Sequence, residues 1–456
     1  MTFWTWDRVT DALQSLARVN LPRGSSPFSR VWTDTRTIAK GDLFVALVGE
    51  RFDAHEFLEQ AVASGAAGLV VARVEKARGL GVPVFEVSDT LVALGALGRY
   101  RRCAWGKPVV SVVGTNGKTS TKELLKATLG STLETHATQG NLNNLVGVPL
   151  TLLAIPDSAD VAVVEMGTNQ PGEVARLRAI VEPNVTVVTS IAEEHLEGLG
   201  DLAGVMREEL AACDQAATAV VPSNQEDVVA EARRRARAVV SAGLDEGDVR
   251  AERWSLNTDG SGRIVIDDVE IRVPLHGVHN LRNTMLALAV GRELGVSLER
   301  AAQGIAAMPV PPMRSNVEQL GRVTLVNDAY NSNPGSARAA LELLQHAGRG
   351  RQRVAVLGTM LELGPSGPAL HEALAREALA SPIELIAGLG EFAAALERAA
   401  DGSAAERLVT ANDVESLWNR LSSRLEQDAV ILLKASRGVR LEQLVPKIRE
   451  WATPQP

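Results

Sequence analysis

Gly114-Thr115-Asn116-Gly117-Lys118-Thr119 stands between an apolar run, Pro108 to Val113, and a helix-forming stretch, Lys122 to Leu129. Glycines let backbone N–H groups approach phosphate oxygens closely. The N-terminus of the following helix favours negative charge, a lysine neutralises it, and a threonine hydroxyl can hold Mg²⁺. The spacing departs from the longer G-x-x-x-x-G-K-[ST] pattern, since Val112 stands where its first glycine would fall. A bland glycine-rich turn rarely carries both a lysine and a threonine in this register. We therefore read Gly114, Thr115, Asn116, Gly117, Lys118, Thr119 and Ser120 as a nucleotide-phosphate loop. Such a loop specifies a nucleotide and leaves the reaction open.

A nucleotide hydrolase, a kinase and a ligase all use Mg²⁺ and differ in what meets the γ-phosphate, so the ends of neighbouring strands matter next. Glu165 closes the run Val161 to Val164 ahead of Met166-Gly167, an arrangement expected to bring a carboxylate to the rim that carries the loop. His195, within Glu193-Glu194-His195-Leu196-Glu197-Gly198, follows the run Val185 to Thr189 and is a second candidate metal ligand, although a lone histidine is more often structural.

The elements that must hold these groups follow from the rhythm of the chain. From residue 106 onward, short β-branched runs alternate with longer Ala/Leu/Arg-rich stretches, as in strands joined by crossover helices, which implies mostly parallel sheets. Strands are expected at Pro108 to Val113, Val161 to Glu165, Val185 to Thr189 and Ala219 to Pro222. Near residue 255 polar and apolar residues begin to alternate, and Arg263 to Asp267 with Val269 to Val273 reads as a small antiparallel insertion before helix resumes at His276. Met308 to Pro312 carries three prolines in five residues and reads as a linker; the strand–helix rhythm restarts beyond it at Val323 to Val326, Val354 to Leu357, Leu385 to Ala387 and Ala429 to Leu433. Before residue 106, strands are expected at Leu43 to Val48 and Leu69 to Ala72.

A chain of 456 residues exceeds what one hydrophobic core usually organises. The expected fold class is α/β with three domains. A smaller N-terminal α/β domain spans 1–105, a central phosphate-loop domain with a mostly parallel sheet 106–310, and a C-terminal Rossmann-like α/β domain 311–456. With 45% hydrophobic and 22% charged residues the chain can bury large cores, and a net charge of −8 gives no global attraction to nucleic acid or an anionic membrane. Cys103 and Cys213 are too few for a disulfide framework or a cysteine metal site, which suits a reducing compartment, and the cytoplasm is the expected location. Met1 to Leu13 lacks the basic start and apolar stretch of a secretory signal, and apolar runs such as Val109 to Val113 stop well short of the roughly 20 residues a membrane helix requires.

Further runs are spread along the chain: Thr33-Asp34-Thr35-Arg36, Gly41 to Leu47, Gly49-Glu50-Arg51-Phe52-Asp53-Ala54-His55 and Gly140-Asn141-Leu142-Asn143-Asn144. Later come Glu165-Met166-Gly167, His195-Leu196-Glu197-Gly198, His279-Asn280-Leu281-Arg282-Asn283, Asn327-Asp328-Ala329-Tyr330-Asn331-Ser332-Asn333-Pro334 and Lys434-Ala435-Ser436-Arg437. Together with the loop they resemble the Mur ligases over essentially the whole chain. The Asp53-Ala54-His55 and Tyr330-Asn331-Ser332-Asn333 runs are similar to the members that add D-alanyl-D-alanine.

The resemblance implies an ATP- and Mg²⁺-dependent reaction in peptidoglycan precursor synthesis. The terminal carboxylate of a UDP-N-acetylmuramoyl tripeptide takes the γ-phosphate, and the amine of D-alanyl-D-alanine displaces phosphate from the acyl phosphate, with ADP and phosphate released. It further implies that Lys118 and Thr119 serve the ATP phosphates and a first Mg²⁺, that Glu165 binds metal, and that His195 helps hold a second Mg²⁺. Asn280 and Asn283, spaced i and i+3, resemble nucleotide-side asparagines, and Asn280 is equally compatible with a helix N-cap. Arg314 resembles an arginine that reaches the γ-phosphate and Asp328 an acid that meets ribose. Lying beyond the proline linker, both reach nucleotide only if the C-terminal domain swings in. Asp34, Thr35 and Arg36 match the UDP-sugar motif, Asn141, Asn143, Asn144 and Asn331 resemble substrate-side amides, and Lys434 and Arg437 resemble cations near the incoming dipeptide.

One position departs from the family. A lysine carrying a carbamate is usual about fourteen residues after the histidine, and counting without gaps Glu209 stands there, with Glu208 as the neighbouring register. Glu209 is expected to supply directly the carboxylate that relatives make from lysine and carbon dioxide. Other amide ligases of the same architecture remain rivals, such as a folylpolyglutamate synthase or the ligase adding the third muramoyl-peptide residue. So does a nucleotide-dependent switch in which nothing is ligated. No nucleic-acid partner and no membrane span are expected, and a monomer is the expected state.

Overall fold

A computed structural model describes residues 2–19, 27–49, 51–402 and 404–453. Glu50, in the run from Gly49 to His55, lies outside them. The fold is mixed α/β, and the chain packs as two compact units. One gathers Met1–Ser111, His136–Gly167 and Glu173–Asn184; the other gathers Val112–Thr135, Thr168–Gly172 and Val185–Pro456.

The first unit contains a five-stranded sheet in the order Ala17–Val19, Val84–Val87, Gly68–Val71, Leu43–Val45, Val31–Trp32, with only its Ala17–Val19 edge antiparallel. Successive side chains of a strand face opposite sides, so Leu43 and Val45 join a core with Trp4, Phe28, Phe85 and Leu94, while Phe44 and Leu69 join another with Ala54, Leu58 and Ala61. The helix Thr90–Trp105 begins where Asp89 accepts the N–H groups of Leu91 and Val92 and ends at Gly106, whose φ of 72° supplies the left-handed C-cap. The Asp53-Ala54-His55 run has a scaffolding task. Buried His55 accepts the Ala72 and Arg73 N–H groups on Nε2, while its Nδ1 pairs with Asp53 at 2.7 Å.

In the second unit, Thr218–Pro222 pairs in parallel with Val185–Val188 on one side and Ala238–Gly243 on the other. The helix that follows the phosphate loop, Lys118–Gly130, packs on the helix Val278–Glu293. The insertion is antiparallel as expected but has three strands, Arg253–Leu256, Gly262–Ile266 and Val269–Val273. Helix resumes at Val278, because Gly277 at φ 91° breaks the approach from His276. Met308 to Pro312 forms neither helix nor strand. Beyond it lies a six-stranded sheet in the order Asn316–Leu320, Val323–Asp328, Val430–Lys434, Arg353–Leu357, Leu385–Leu389, Leu408–Ala411, antiparallel only at its first pair. Both edge strands escape a reading of apolar runs, since Asn316–Leu320 is half-buried and carries Glu318 and Gln319, and Leu408–Ala411 alternates. Among the described residues no helix is long and apolar enough to cross a membrane.

Candidate active site

The strand Val109–Val113 is buried at every position and delivers the loop, and Lys118 opens the helix Lys118–Gly130. Two glycines are required by the backbone. Gly114 at φ 117° would drive a Cβ to 2.5 Å from Thr189 Oγ1, and Gly117 at φ 86° would drive one to 2.7 Å from Asn283 Nδ2. The segment 189–192 braces the loop. The Thr115 N–H donates to Ser190 O at 2.7 Å, the Asn116 N–H to Ser190 Oγ at 3.2 Å, and Thr115 Oγ1 accepts from the Ala192 N–H at 3.0 Å. Lys118 Nζ turns back onto the carbonyls of Gly114 and Thr115 at 2.5 and 3.1 Å. Thr119 is the second residue of that helix and Ser120, buried, the third.

Three ionisable groups surround the loop lysine. Glu209, buried at the end of the helix Leu202–Glu209, accepts the Gly114 N–H on Oε2 at 2.8 Å. Burial pushes its carboxyl pKa up, while Lys118 and the Gly114 N–H pull the other way. Glu194 is buried and its Oε2 makes no hydrogen bond with the described residues, standing 3.9 Å from Lys118 Nζ and 3.8 Å from His195 Nε2. His195 takes a left-handed backbone, φ 52°, uncommon without glycine, and its Nδ1 is hydrogen-bonded to Glu362. Burial alone would lower the His195 pKa, but the bond to Glu362 and the charge of Glu194 outweigh it and raise the value above the ordinary one. Glu208, the neighbouring register, is tied elsewhere: it accepts from Thr168 Oγ1 and from the Gly172 N–H at 3.3 and 2.7 Å. Among the described residues no three His, Cys, Asp or Glu are gathered as a ready metal cluster. A buried carboxylate oxygen without a hydrogen-bond partner beside an imidazole nitrogen nevertheless fits a hard divalent cation.

Residues from beyond the proline linker meet this loop. The amides of Asn116 and Asn333 exchange two hydrogen bonds, at 3.2 and 2.8 Å, and Asn331 Nδ2 donates to Glu194 Oε1 at 2.7 Å. Lys434 Nζ is held by Asp328 Oδ2 at 2.8 Å and Asn331 O at 2.7 Å, while Asp328 Oδ1 accepts the Ser315 N–H. Arg314 lies over the Tyr330 ring at 4.2 Å, and Arg437 contacts Met313 Sδ at 2.9 Å and stands 3.5 Å from Glu442. Asn280 is not the N-cap of its helix, a place taken by Gly277. Its Nδ2 donates to His276 O at 2.8 Å and its Oδ1 accepts from Asn283, whose amide lies against Gly117.

The remaining candidates lie in the first unit. Asn143 Nδ2 donates to Glu165 Oε1 at 2.9 Å, and the Glu165 N–H donates to Thr138 Oγ1, so the Asn143 amide is engaged with the carboxylate. Asn144 Oδ1 accepts the N–H groups of Val146 and Gly147 where a helix begins, and Asn141 is exposed. Asp34 grips Arg36 through two side-chain bonds of 2.9 and 2.7 Å, which lowers the Asp34 pKa and fixes an otherwise exposed guanidinium next to Thr35.

The family model of the Mur ligase middle domain matches residues 112–291, and that of the Mur ligase, glutamate ligase domain matches residues 313–437. The chain belongs to the Mur ligase family. It is 32% identical to the UDP-N-acetylmuramoyl-tripeptide–D-alanyl-D-alanine ligase of Bacillus subtilis, over 92% of this chain and 93% of that one. To the ligase of the same name from Escherichia coli it is 33% identical, over 98% and 99%. Among solved structures it is similar to MurF from Acinetobacter baumannii, with a TM-score of 0.87 at 31% identity over 98% and 99% of the chains. MurF ligase from Thermotoga maritima in complex with ADP gives 0.81 at 27% over 93% and 97%.

In this Mur ligase motif reading singled out neither Glu194 nor Glu362, and although Asn333 lies in a quoted run, its amide pair with Asn116 was not expected. Glu194 is one of two adjacent acids before His195, and only the fold shows that it, rather than Glu193, is the buried one. Glu362 sits in Leu361-Glu362-Leu363-Gly364, where the one available signal is the glycine that allows a tight turn.

Proposed function

We propose that this Mur ligase joins D-alanyl-D-alanine to a UDP-N-acetylmuramoyl tripeptide at the expense of ATP, as a cytoplasmic, monomeric enzyme of peptidoglycan precursor synthesis. The observation that supports the reading is the meeting of the Tyr330-Asn331-Ser332-Asn333 run, which resembles that of the D-alanyl-D-alanine-adding members, with the phosphate loop at Asn116 and with Glu194. Boundaries at 105 and 310 fit this division of labour, with UDP-sugar at Asp34, Thr35 and Arg36, nucleotide in the centre, and dipeptide beyond the linker.

A carboxylate is a poor acyl donor, so the tripeptide carboxylate first attacks the γ-phosphorus. A carboxyl O–P bond forms and the β–γ bond breaks, leaving ADP. The dipeptide amine then attacks the acyl carbon, the C–O bond to phosphate breaks, and the amine proton leaves. An α-amine with a pKa near 8 is partly neutral at pH 7, so alignment and proton removal are most of what the second step requires. Lys118, swung from the Gly114 and Thr115 carbonyls, neutralises the phosphoryl oxygens, and the loop N–H groups cradle them. Thr119, His195 and Glu209 would hold Mg²⁺, which supplies charge stabilisation at phosphoryl oxygens, and Glu165 is proposed as a further metal ligand. Asn143 aims Glu165. Asn280 and Asn283 back the loop from behind at Gly117. Arg314 leaves its stack on Tyr330 for the γ-phosphate, and Asp328 meets ribose. Lys434 acts through Asn331, whose carbonyl it holds, and Arg437 takes the dipeptide carboxylate.

Incorporation of radiolabelled D-alanyl-D-alanine into the UDP-linked product tests the proposal. Phosphate release is expected only with tripeptide and dipeptide both present. Release with neither would favour a switch, and preference for glutamate or a diamino acid as amine would favour another ligase.

A further inference from the structure

We infer that Glu362 is a positioning residue that makes His195 a competent metal ligand, and that it does so from the far side of the proline linker. The inference rests on the proposed role of His195. An imidazole binds metal through a nitrogen lone pair, and which nitrogen keeps its lone pair is set by the hydrogen bond the other one makes. Here His195 Nδ1 is hydrogen-bonded to Glu362 Oε2, so the ring proton belongs on Nδ1 and Nε2 is left as the acceptor end. Nε2 faces Glu194 Oε2, a buried oxygen with no hydrogen bond, at 3.8 Å. Two acceptors facing each other repel unless a proton or a cation lies between them.

The contact is built with care. His195 and Glu362 both hold left-handed backbones, φ 52° and 64°, which side-chain-bearing residues adopt only when the surroundings impose it. The Glu197 N–H donates to Glu362 O at 3.1 Å, and Gly364 approaches so closely that a Cβ there would lie 3.1 Å from Glu197 Cα. The segment carrying Glu362 follows the strand Arg353–Leu357 and falls within the part matched by the glutamate ligase domain model, whereas His195 falls within the part matched by the middle domain model. Ring orientation at the metal ligand therefore depends on the C-terminal segment being in place. Metal affinity and closure are thereby linked.

The test is Mn²⁺ binding to the full chain with a non-hydrolysable ATP analogue, followed by electron paramagnetic resonance, in the parent, Glu362→Ala, Glu362→Asp and His195→Asn. Loss of such an outer partner weakens metal binding by about 10–100-fold, and that loss is expected in Glu362→Ala, with the aspartate variant recovering part of it. Melting of the metal-free protein is expected to stay as in the parent. Mn²⁺ affinity in Glu362→Ala within about twofold of the parent would overturn the inference, and so would an equal loss of metal-free stability in both Glu362 variants, which would mark a merely structural contact. If His195→Asn also binds Mn²⁺ like the parent, the fault lies in the reading of His195; if only His195→Asn weakens binding, it lies with Glu362.

Discussion

Glu209 brings a carboxylate to the phosphate loop without needing carbon dioxide. It is buried, it accepts the Gly114 N–H, and burial raises its carboxyl pKa although Lys118 and that N–H oppose the rise. Where the family resemblance places a carbamylated lysine, this side chain already ends in two oxygens. Phosphate release by the parent is expected to be the same in bicarbonate-free and bicarbonate-supplemented buffer, whereas Glu209→Lys should fall by at least about 10-fold and recover with bicarbonate. A bicarbonate requirement in the parent would refute this role. At this scale the loop itself was legible, because its glycines, lysine and threonine fall within six residues, Gly114 to Thr119. Glu194 and Glu362 were not, because an acid beside a histidine, or one 167 residues away, acquires meaning only from where the chain returns.

The helix Pro334–Ala347 is started by a capping box: Asn333 accepts the Ser336 N–H and Ser336 Oγ accepts the Asn333 N–H, with Pro334 at the first turn. The same Asn333 amide pairs with Asn116 of the phosphate loop. One side chain thus both begins a helix and fastens it to the nucleotide site. Replacing Asn333 with Ala is expected to cost about 1 kcal/mol in urea unfolding from the lost cap. It should also raise the KM for ATP, since Asn116 loses its partner. An unchanged KM with the expected stability loss would confine Asn333 to capping. Sequence rhythm found most strands of the parallel sheets, because a strand buried on both faces is a continuous apolar run. It missed the edges Asn316–Leu320 and Leu408–Ala411, which are not apolar throughout, and also the inner strands Val84–Val87 and Ala238–Gly243.

Across the molecule, acid stability should be governed in part by buried and half-buried histidines. Burial pushes the His279 pKa down to about 4 from an ordinary 6.5, and it lowers His276 and His371 in the same direction. Between pH 6.5 and 4 the unfolded chain binds a proton at position 279 that the folded chain refuses, so stability falls as pH drops through that window and is unaffected above it. The His279 contribution is on the order of 3 kcal/mol at pH 4. Urea midpoints should drop between pH 7 and 5 in the parent and drop less in His279→Gln; equal drops would remove His279 from the account. Carboxylates held down by partners, such as Asp53 and Asp248, lose their contribution only below this window, as pH falls through their lowered pKa values. By itself the sequence determined the α/β class, the nucleotide loop and the family, because each of these is written in local spacing or in short runs that survive without their surroundings. Tertiary structure alone decided which of Glu193 and Glu194 points inward, that Glu362 serves His195, that Lys434 is spent on Asp328 and Asn331, and that Asn116 pairs with Asn333. Those are contacts between residues far apart in the chain, and their geometry depends on left-handed turns and close backbone approaches that no residue pattern encodes.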